Sequence, residues 1–156
     1  MSDARSLAIL AGDYDVARMT TGIPHPYSEA DAQAFLRRAD RRDPREEALF
    51  ALDIDGHGAV GLLGFHTNAE GAVEIGYWLG RPFWGRGYMT EAVISAMAWA
   101  RTTWGRRWVM SGHFVDNPAS GAVLVKAGFL YTGDIFWRAS LARGEAAPTR
   151  MMVWLA

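Results

Sequence analysis

The chain contains no cysteine. That excludes disulfide bridges, zinc–thiolate sites and a covalent cysteine nucleophile, and it fits a cytoplasmic protein. Lysine is nearly as scarce: Lys126 is the single lysine among sixteen basic residues, the rest being arginine. Because alanine and glycine are also abundant, this reads as codon bias. A charge of one sign is missing too. The formal net charge is -1, far from the basic patch or stripe that a nucleic-acid partner requires. No apolar run approaches the roughly 18 residues needed to span a bilayer. The start, Met1-Ser2-Asp3-Ala4-Arg5, lacks the basic-then-apolar order of a signal peptide. Neither nucleic acid nor membrane is therefore expected as a partner. The four histidines, His25, His57, His66 and His113, have no metal-ligand spacing, so no metal site is expected.

What remains is an ordinary globular composition, half hydrophobic and 21% charged over 156 residues. Without repeats or a low-complexity linker, residues 1–156 read as one domain. Asp3 to about Met19 looks helical, with a break near Gly12. Ile23-Pro24-His25-Pro26-Tyr27 cannot be helix, because two prolines restrict it. Ser28 reads as an N-cap with Asp31 three residues on, and Ala32, Phe35, Leu36 and Ala39 form an apolar helical face. That helix runs out in the charged stretch Arg37 to Glu47. Three strands follow, Ala48 to Ile54, Ala59 to Thr67 and Ala72 to Leu79. They are joined by the turns Asp55-Gly56-His57-Gly58 and Asn68-Ala69-Glu70-Gly71, hence an antiparallel meander. Beyond the loop Gly80 to Gly87, Tyr88 to Trp104 has helical spacing and Trp108 to Val115 reads as a strand. Asn117 to Ala127 is a short helix capped by Asn117, with Pro118 at its first position and Gly128 past its end. Phe129 to Trp137 and Arg150 to Leu155 read as closing strands. The order implies an α/β (α+β) domain with a mixed, mostly antiparallel sheet covered by helices.

The segment Glu74-Ile75-Gly76-Tyr77-Trp78-Leu79, followed by Trp84-Gly85-Arg86-Gly87-Tyr88-Met89-Thr90-Glu91-Ala92, is a strand running into a glycine-rich turn that opens a helix. Gly85 and Gly87 allow close approach of a ligand to backbone. The first-turn amides and the helix dipole favour an anion such as a pyrophosphate. The loop has no Gly-Lys-Ser/Thr, and Thr90 stands where the dinucleotide fingerprint needs its third glycine. By itself such a turn is also compatible with no ligand. A second segment, Asn117-Pro118-Ala119-Ser120 closing with Lys126-Ala127-Gly128-Phe129, adds to it.

Together the two segments resemble the GNAT N-acetyltransferases, in particular the branch with the ribosomal-protein N-terminal alanine acetyltransferases. The likeness runs from about Val16 to Val153. It implies acetyl-CoA as cosubstrate and a V-shaped split between two central parallel strands, Ala72 to Leu79 and Trp108 to Val115. It implies that the pantetheine arm pairs with backbone near Trp78 and Leu79. The pyrophosphate would rest on the amides of Gly85, Arg86, Gly87, Tyr88, Met89 and Thr90, beside Trp84. Asn117 would bond the pantetheine and Ser120 would lie near the sulfur. Arg81 and Arg86 flank the loop as candidate anion contacts, the alternative being ordinary surface arginines, and Lys126 either reaches a CoA phosphate or is a solvated helix-end cation. The family normally begins with a strand that this chain lacks ahead of its first helix. The expectation is a truncated start or a missing edge strand, with a bare edge on Ala48 to Ile54.

Acetyl transfer requires a deprotonated amine, donors for the developing oxyanion, and a proton or hydrogen bond for the departing thiolate. Glu74, beside the split, is the candidate base acting through a water; the alternative is a solvent-facing strand residue. Ser120 is the candidate donor to the thiolate; the alternative is a first-turn serine bonding back to Asn117, itself a cap. Tyr77, Trp78, Phe83 and Trp84 read more readily as core than as substrate pocket, with lining of the split by part of the cluster as the alternative. The substrate-facing parts should be Pro24 to Phe35 and a loop from Ser140 to Thr149. The expected acceptor is a protein N-terminal or small-molecule amine, and the expected assembly a monomer or homodimer. The competing readings are a non-catalytic acyl-CoA-binding module and a small-amine resistance protein.

Overall fold

The structure is a computed structural model describing residues 3–41, 43–44, 46–68 and 70–156. The expected turn through Ala69 and parts of the charged run near Arg42 and Arg45 lie outside the described residues. Helices α1 (Asp3–Ala11) and α2 (Tyr14–Ala17) are separated at Gly12, where the break was expected. Helix α3 (Glu29–Ala39) begins in a capping box. The Ser28 side chain accepts from the Asp31 amide, and the Asp31 carboxylate accepts from the Ser28 amide.

The meander is β1 (Ala48–Ile54), β2 (Gly58–Thr67) and β3 (Val73–Leu79). A 3₁₀ turn (Arg81–Phe83) leads to α4 (Tyr88–Thr102), β4 (Trp108–Phe114), α5 (Pro118–Lys126), β5 (Leu130–Ser140) and β6 (Glu145–Leu155). The six strands form one sheet in the order β1-β2-β3-β4-β6-β5. Every neighbouring pair is antiparallel except β3 and β4. Among the described residues no strand lies outside β1, so the bare edge expected on Ala48–Ile54 is present. Among the described residues no helix is long and apolar enough to cross a membrane.

Two faces of the sheet are covered, and β2 serves both. Leu52 pairs with Gly61 and Asp53 with Ala59, which leaves Val60 as the extra residue of a bulge. A bulge resets the period-2 alternation. Ala59 and Leu62 consequently join Leu7 of α1 on one face, with Phe35 of α3 packed beside them. Val60, Leu63 and Phe65 join the main core on the other face, against Val93, Met97 and Ala100 of α4 and Leu124 of α5. Met89, Val93, Ala96, Met97 and Ala100 are the buried stripe of α4, at the three- and four-residue spacing a helix requires.

One sequence expectation needs correction. Ser140 to Thr149 is mostly not a loop: β5 and β6 extend to Ser140 and from Glu145, leaving only Leu141 to Gly144 as a turn. Pro148 and the run Glu145-Ala146-Ala147 have little strand propensity. Pro148 is tolerated because the β4 ladder ends at the Phe114–Thr149 pair, so its missing N–H falls beyond that ladder. Its carbonyl still accepts from the Val115 amide at 2.9 Å. Strand β5 is the second edge, and it is strongly apolar yet open, with Ile135, Phe136 and Trp137 exposed.

Candidate active site

The site begins where β3 and β4 part. They share a single register pair, Glu74 with Met110. Beyond it the backbones diverge, and the hydrogen bonds of a parallel ladder are lost. Ser111, buried on β4, fills the vertex: its hydroxyl donates to the Ile75 carbonyl at 3.0 Å. This satisfies a polar group that the divergence would otherwise orphan. Gly76, next along β3, is exposed, with no atom within 4 Å of where a Cβ would stand.

The split opens into a cleft of 1230 Å³, large enough for an extended cofactor together with a small acceptor. At one end stands the N-terminus of α4. Gly87 is its N-cap at φ +84, a left-handed conformation that a side chain disfavours, and Gly85 sits at φ +73. A Cβ at either would meet nothing within 4 Å. The requirement for glycine is thus conformational, and the space over the loop is open. Glu91 is the first residue to bond back, its amide reaching the Gly87 carbonyl at 3.1 Å. The amides of Tyr88, Met89 and Thr90 therefore have no helical acceptor. The Met89 side chain is buried in the core, so only its backbone serves the cleft. The Trp84 indole N–H donates to the Leu79 carbonyl at 2.6 Å, which ties the loop to the end of β3. That carbonyl is thereby engaged before any pantetheine could pair there.

On the opposite side of the split stands α5. The Asn117 side chain accepts from the Ser120 amide at 3.2 Å, so the capping role is present. The Ser120 hydroxyl does not simply turn back to Asn117. It shares a 3.0 Å hydrogen bond with the Tyr77 hydroxyl, which also donates to the Ser120 carbonyl at 3.1 Å. Burial raises the Tyr77 pKa well above its usual value, only partly opposed by the Ser120 hydrogen bond, so the phenol keeps its proton at neutral pH.

Glu74 is buried, not solvent-facing. Arg138, on β5, grips both its oxygens: Nη1 donates to Oε1, and Nη2 to Oε2 at 3.0 Å. The pair is bidentate, the geometry that guanidinium and carboxylate favour. Glu74 thus lines the cleft as half of an ion pair, not as an unaccompanied carboxylate.

Of the residues expected at the site, Glu74, Trp78, Leu79, Trp84, Gly85, Gly87, Tyr88, Met89, Thr90, Asn117, Ser120 and Lys126 all line this one cleft. Arg86 does not; its side chain is exposed beside the loop. Arg81 is turned elsewhere, toward Asp15 at 3.2 Å and Asp13 at 3.8 Å near α2. Lys126 is exposed at the end of α5. The Pro24 to Phe35 segment reaches the cleft through Pro24, Tyr27, Asp31, Ala32, Ala34 and Phe35. The aromatic residues Tyr77, Trp78, Phe83 and Trp84 also line it. Sequence reasoning missed Tyr77 and Arg138 as site residues. Tyr77 follows Gly76 in a strand that reads as core. Arg138 is one of many arginines and lies 64 residues from its partner, so no local signal could single it out. Among the described residues no group of three or more His, Asp or Glu could hold a metal ion.

A mixed sheet opened between its one parallel pair, with a glycine-capped helix N-terminus at the mouth of the split, is the arrangement in which these residues meet. The chain belongs to the GNAT acetyltransferase family: the family described as "Acetyltransferase (GNAT) domain" matches residues 1–130. A curated relative, the uncharacterized N-acetyltransferase YoaA of Bacillus subtilis (strain 168), is 30% identical over 76 residues, 47% of this chain and 43% of that protein. The matched stretch spans less than half the length of that relative. Among solved structures, the ribosomal-protein-S5-alanine acetyltransferase from Vibrio fischeri superposes with a TM-score of 0.80 at 19% identity, covering 99% of this chain and 88% of that one. The spermidine N-acetyltransferase from Vibrio cholerae, in complex with CoA and spermine, superposes with a TM-score of 0.79 at 16% identity, covering 99% and 90%. At these identities the two structures establish the shared fold.

Proposed function

We propose that this chain is an acetyl-CoA-dependent N-acetyltransferase that acetylates a primary amine, a protein N-terminus or a small molecule, by direct attack in a ternary complex. One observation carries the reading: the glycine-capped amides, the Tyr77–Ser120 hydrogen bond and the Glu74–Arg138 pair face a single cleft at the split. The residues present fit the cofactor. The open space above Gly85 and Gly87 and the unpartnered amides of Tyr88 to Thr90 suit a pyrophosphate, and Asn117 has donor capacity left after capping. Acetyl-CoA supplies an acyl carbon on a thiol leaving group of pKa about 8.5.

The protein's own groups divide the remaining work. Arg138 occupies one lone-pair direction on each Glu74 oxygen and leaves the others open. Through these Glu74 receives the acceptor amine, directly or through a water, and takes up its proton. An α-amine near pKa 8 needs only a weak base, which suits a carboxylate held by arginine. Ser120, which at rest gives its hydroxyl proton to the Tyr77 oxygen, turns that proton toward the leaving sulfur.

The test is release of free thiol from acetyl-CoA in the presence of a panel of amines and N-terminal peptides, with product masses checked. We expect amine-dependent release, reduced about 100-fold or more in Glu74→Gln while acetyl-CoA binding is retained. A non-catalytic acyl-CoA-binding module would give cofactor binding with no amine-dependent release.

A further inference from the structure

The acidic side chains that line the cleft among the described residues are Asp31, Glu47, Glu74 and Asp116. Each is already engaged. Asp31 accepts from the Ser28 amide at 2.8 Å and from its hydroxyl at 2.6 Å. Asp116 is held by Arg18 at 2.8 Å and by both terminal nitrogens of Arg143 at 2.9 and 2.8 Å. Glu47 is not free either. Glu74, the most buried of the four, is clasped by Arg138. A polyamine brings two or more ammonium groups, each of which needs a carboxylate to replace its water. Here the acceptor nitrogen finds open lone pairs on Glu74, while a second cation beside it meets the guanidinium of Arg138. Asp116 is likewise compensated by two arginines, whereas Asp31 is held only by the uncharged Ser28.

We propose that Arg138 sets the choice of acceptor: by neutralising Glu74 it makes the site prefer amines carrying a single positive charge over polycations. This inference rests on the acetyltransferase reading for the meaning of the cleft, but it concerns binding and is testable without turnover. The Arg138 side chain is about a quarter exposed, at 26%. It reaches Glu74 from the β5–β6 hairpin, so acceptor choice is assigned to an element outside the cofactor loop. The apolar wall formed by Ile23, Pro24, Tyr27, Phe35 and Leu49 complements such an acceptor, because an uncharged body gains by leaving water.

The experiment is calorimetric titration of the CoA-saturated protein with spermine and, separately, with n-hexylamine. Wild-type protein should bind hexylamine more tightly than spermine. In Arg138→Gln, which releases the Glu74 charge, spermine affinity should rise about tenfold while hexylamine changes by no more than about threefold, the scale of one nearby charge. Arg138→Lys, which restores the cation, should return spermine to its wild-type weakness. Glu74→Gln, which leaves the guanidinium uncompensated, should weaken spermine further, and it reads the same electrostatics should Arg138→Gln fail to fold. Spermine binding that is equal in wild type and Arg138→Gln, or undiminished in Glu74→Gln, overturns the proposal. If CoA itself does not bind, the acetyltransferase reading fails, while the same amine titrations on cofactor-free protein still decide the role of Arg138.

Discussion

Tyr77 and Ser120 are 43 residues apart in the chain, yet their hydroxyls meet across the split. The hydrogen bond aims the serine. If Ser120 assists the departing thiolate, Ser120→Ala should slow turnover about tenfold, the worth of one hydrogen bond made in the transition state, with acetyl-CoA affinity nearly unchanged. Tyr77→Phe should show a smaller loss of the same kind. Steady-state rates set against calorimetric affinity check both. Ser120 was legible because it follows Asn117-Pro118 at a helix start. Tyr77 was not, because its role depends on which helix start faces it across the gap, which strand periodicity does not encode. Asp116 gives a second test at this scale. Hydrogen bonds from Arg143, aided by the charges of Arg143 and Arg18 and by the Arg18 hydrogen bond, overcome the upward pull of burial and hold its carboxyl below the ordinary value of 3.8. A carboxyl depressed on folding contributes stability above its unfolded pKa, and that contribution drains away as pH falls through the folded pKa. Asp116 is about two-fifths exposed, so solvent screening limits the effect. Asp116→Asn should lower stability at pH 7 by about 1 kcal/mol or less, and the difference should shrink as pH falls below 3.8, measured by thermal unfolding across that range.

At the scale of elements, the glycine-capped start of α4 is the part most fully written in the sequence. Gly87 needs its positive φ, and the four residues after it are the first turn of a helix whose buried stripe is regular. Gly87→Ala should cost about 1 kcal/mol of folding stability through left-handed strain. It should also weaken acetyl-CoA binding about tenfold, because a methyl group would stand in the space over the loop. Paired unfolding and titration experiments separate the two effects. The β5–β6 hairpin was the least legible element. Pro148 and the run Glu145-Ala146-Ala147 lack strand propensity, and their pairing is imposed by neighbours: Arg138 opposite Ala147 and Ala139 opposite Ala146. A shorter hairpin would not have brought Arg138 to Glu74, so the error in strand length and the missed site residue have one cause. Similarly, the bulge at Val60 leaves no mark in the β2 sequence beyond the irregular order of Ala59, Val60, Leu62, Leu63 and Phe65.

For the molecule as a whole, the mixed sheet, the single parallel pair and the covering helices follow from the order of elements together with the family resemblance. The split itself did not follow from periodicity. It is a matter of two strands that pair at Glu74 and Met110 and then separate, with Ser111 closing the vertex. That split, with the amides beyond it, is the proposed seat of acetyl-CoA. The most direct test is thermal unfolding of the purified protein with and without excess acetyl-CoA, with adenosine 3′,5′-bisphosphate as a partial ligand. At 100 times its dissociation constant a ligand adds about 2.7 kcal/mol, so the midpoint should rise by several degrees with acetyl-CoA and by less with the bisphosphate. An unchanged midpoint at millimolar acetyl-CoA would contradict the account, leaving the Gly85–Thr90 segment as a turn that holds no cofactor.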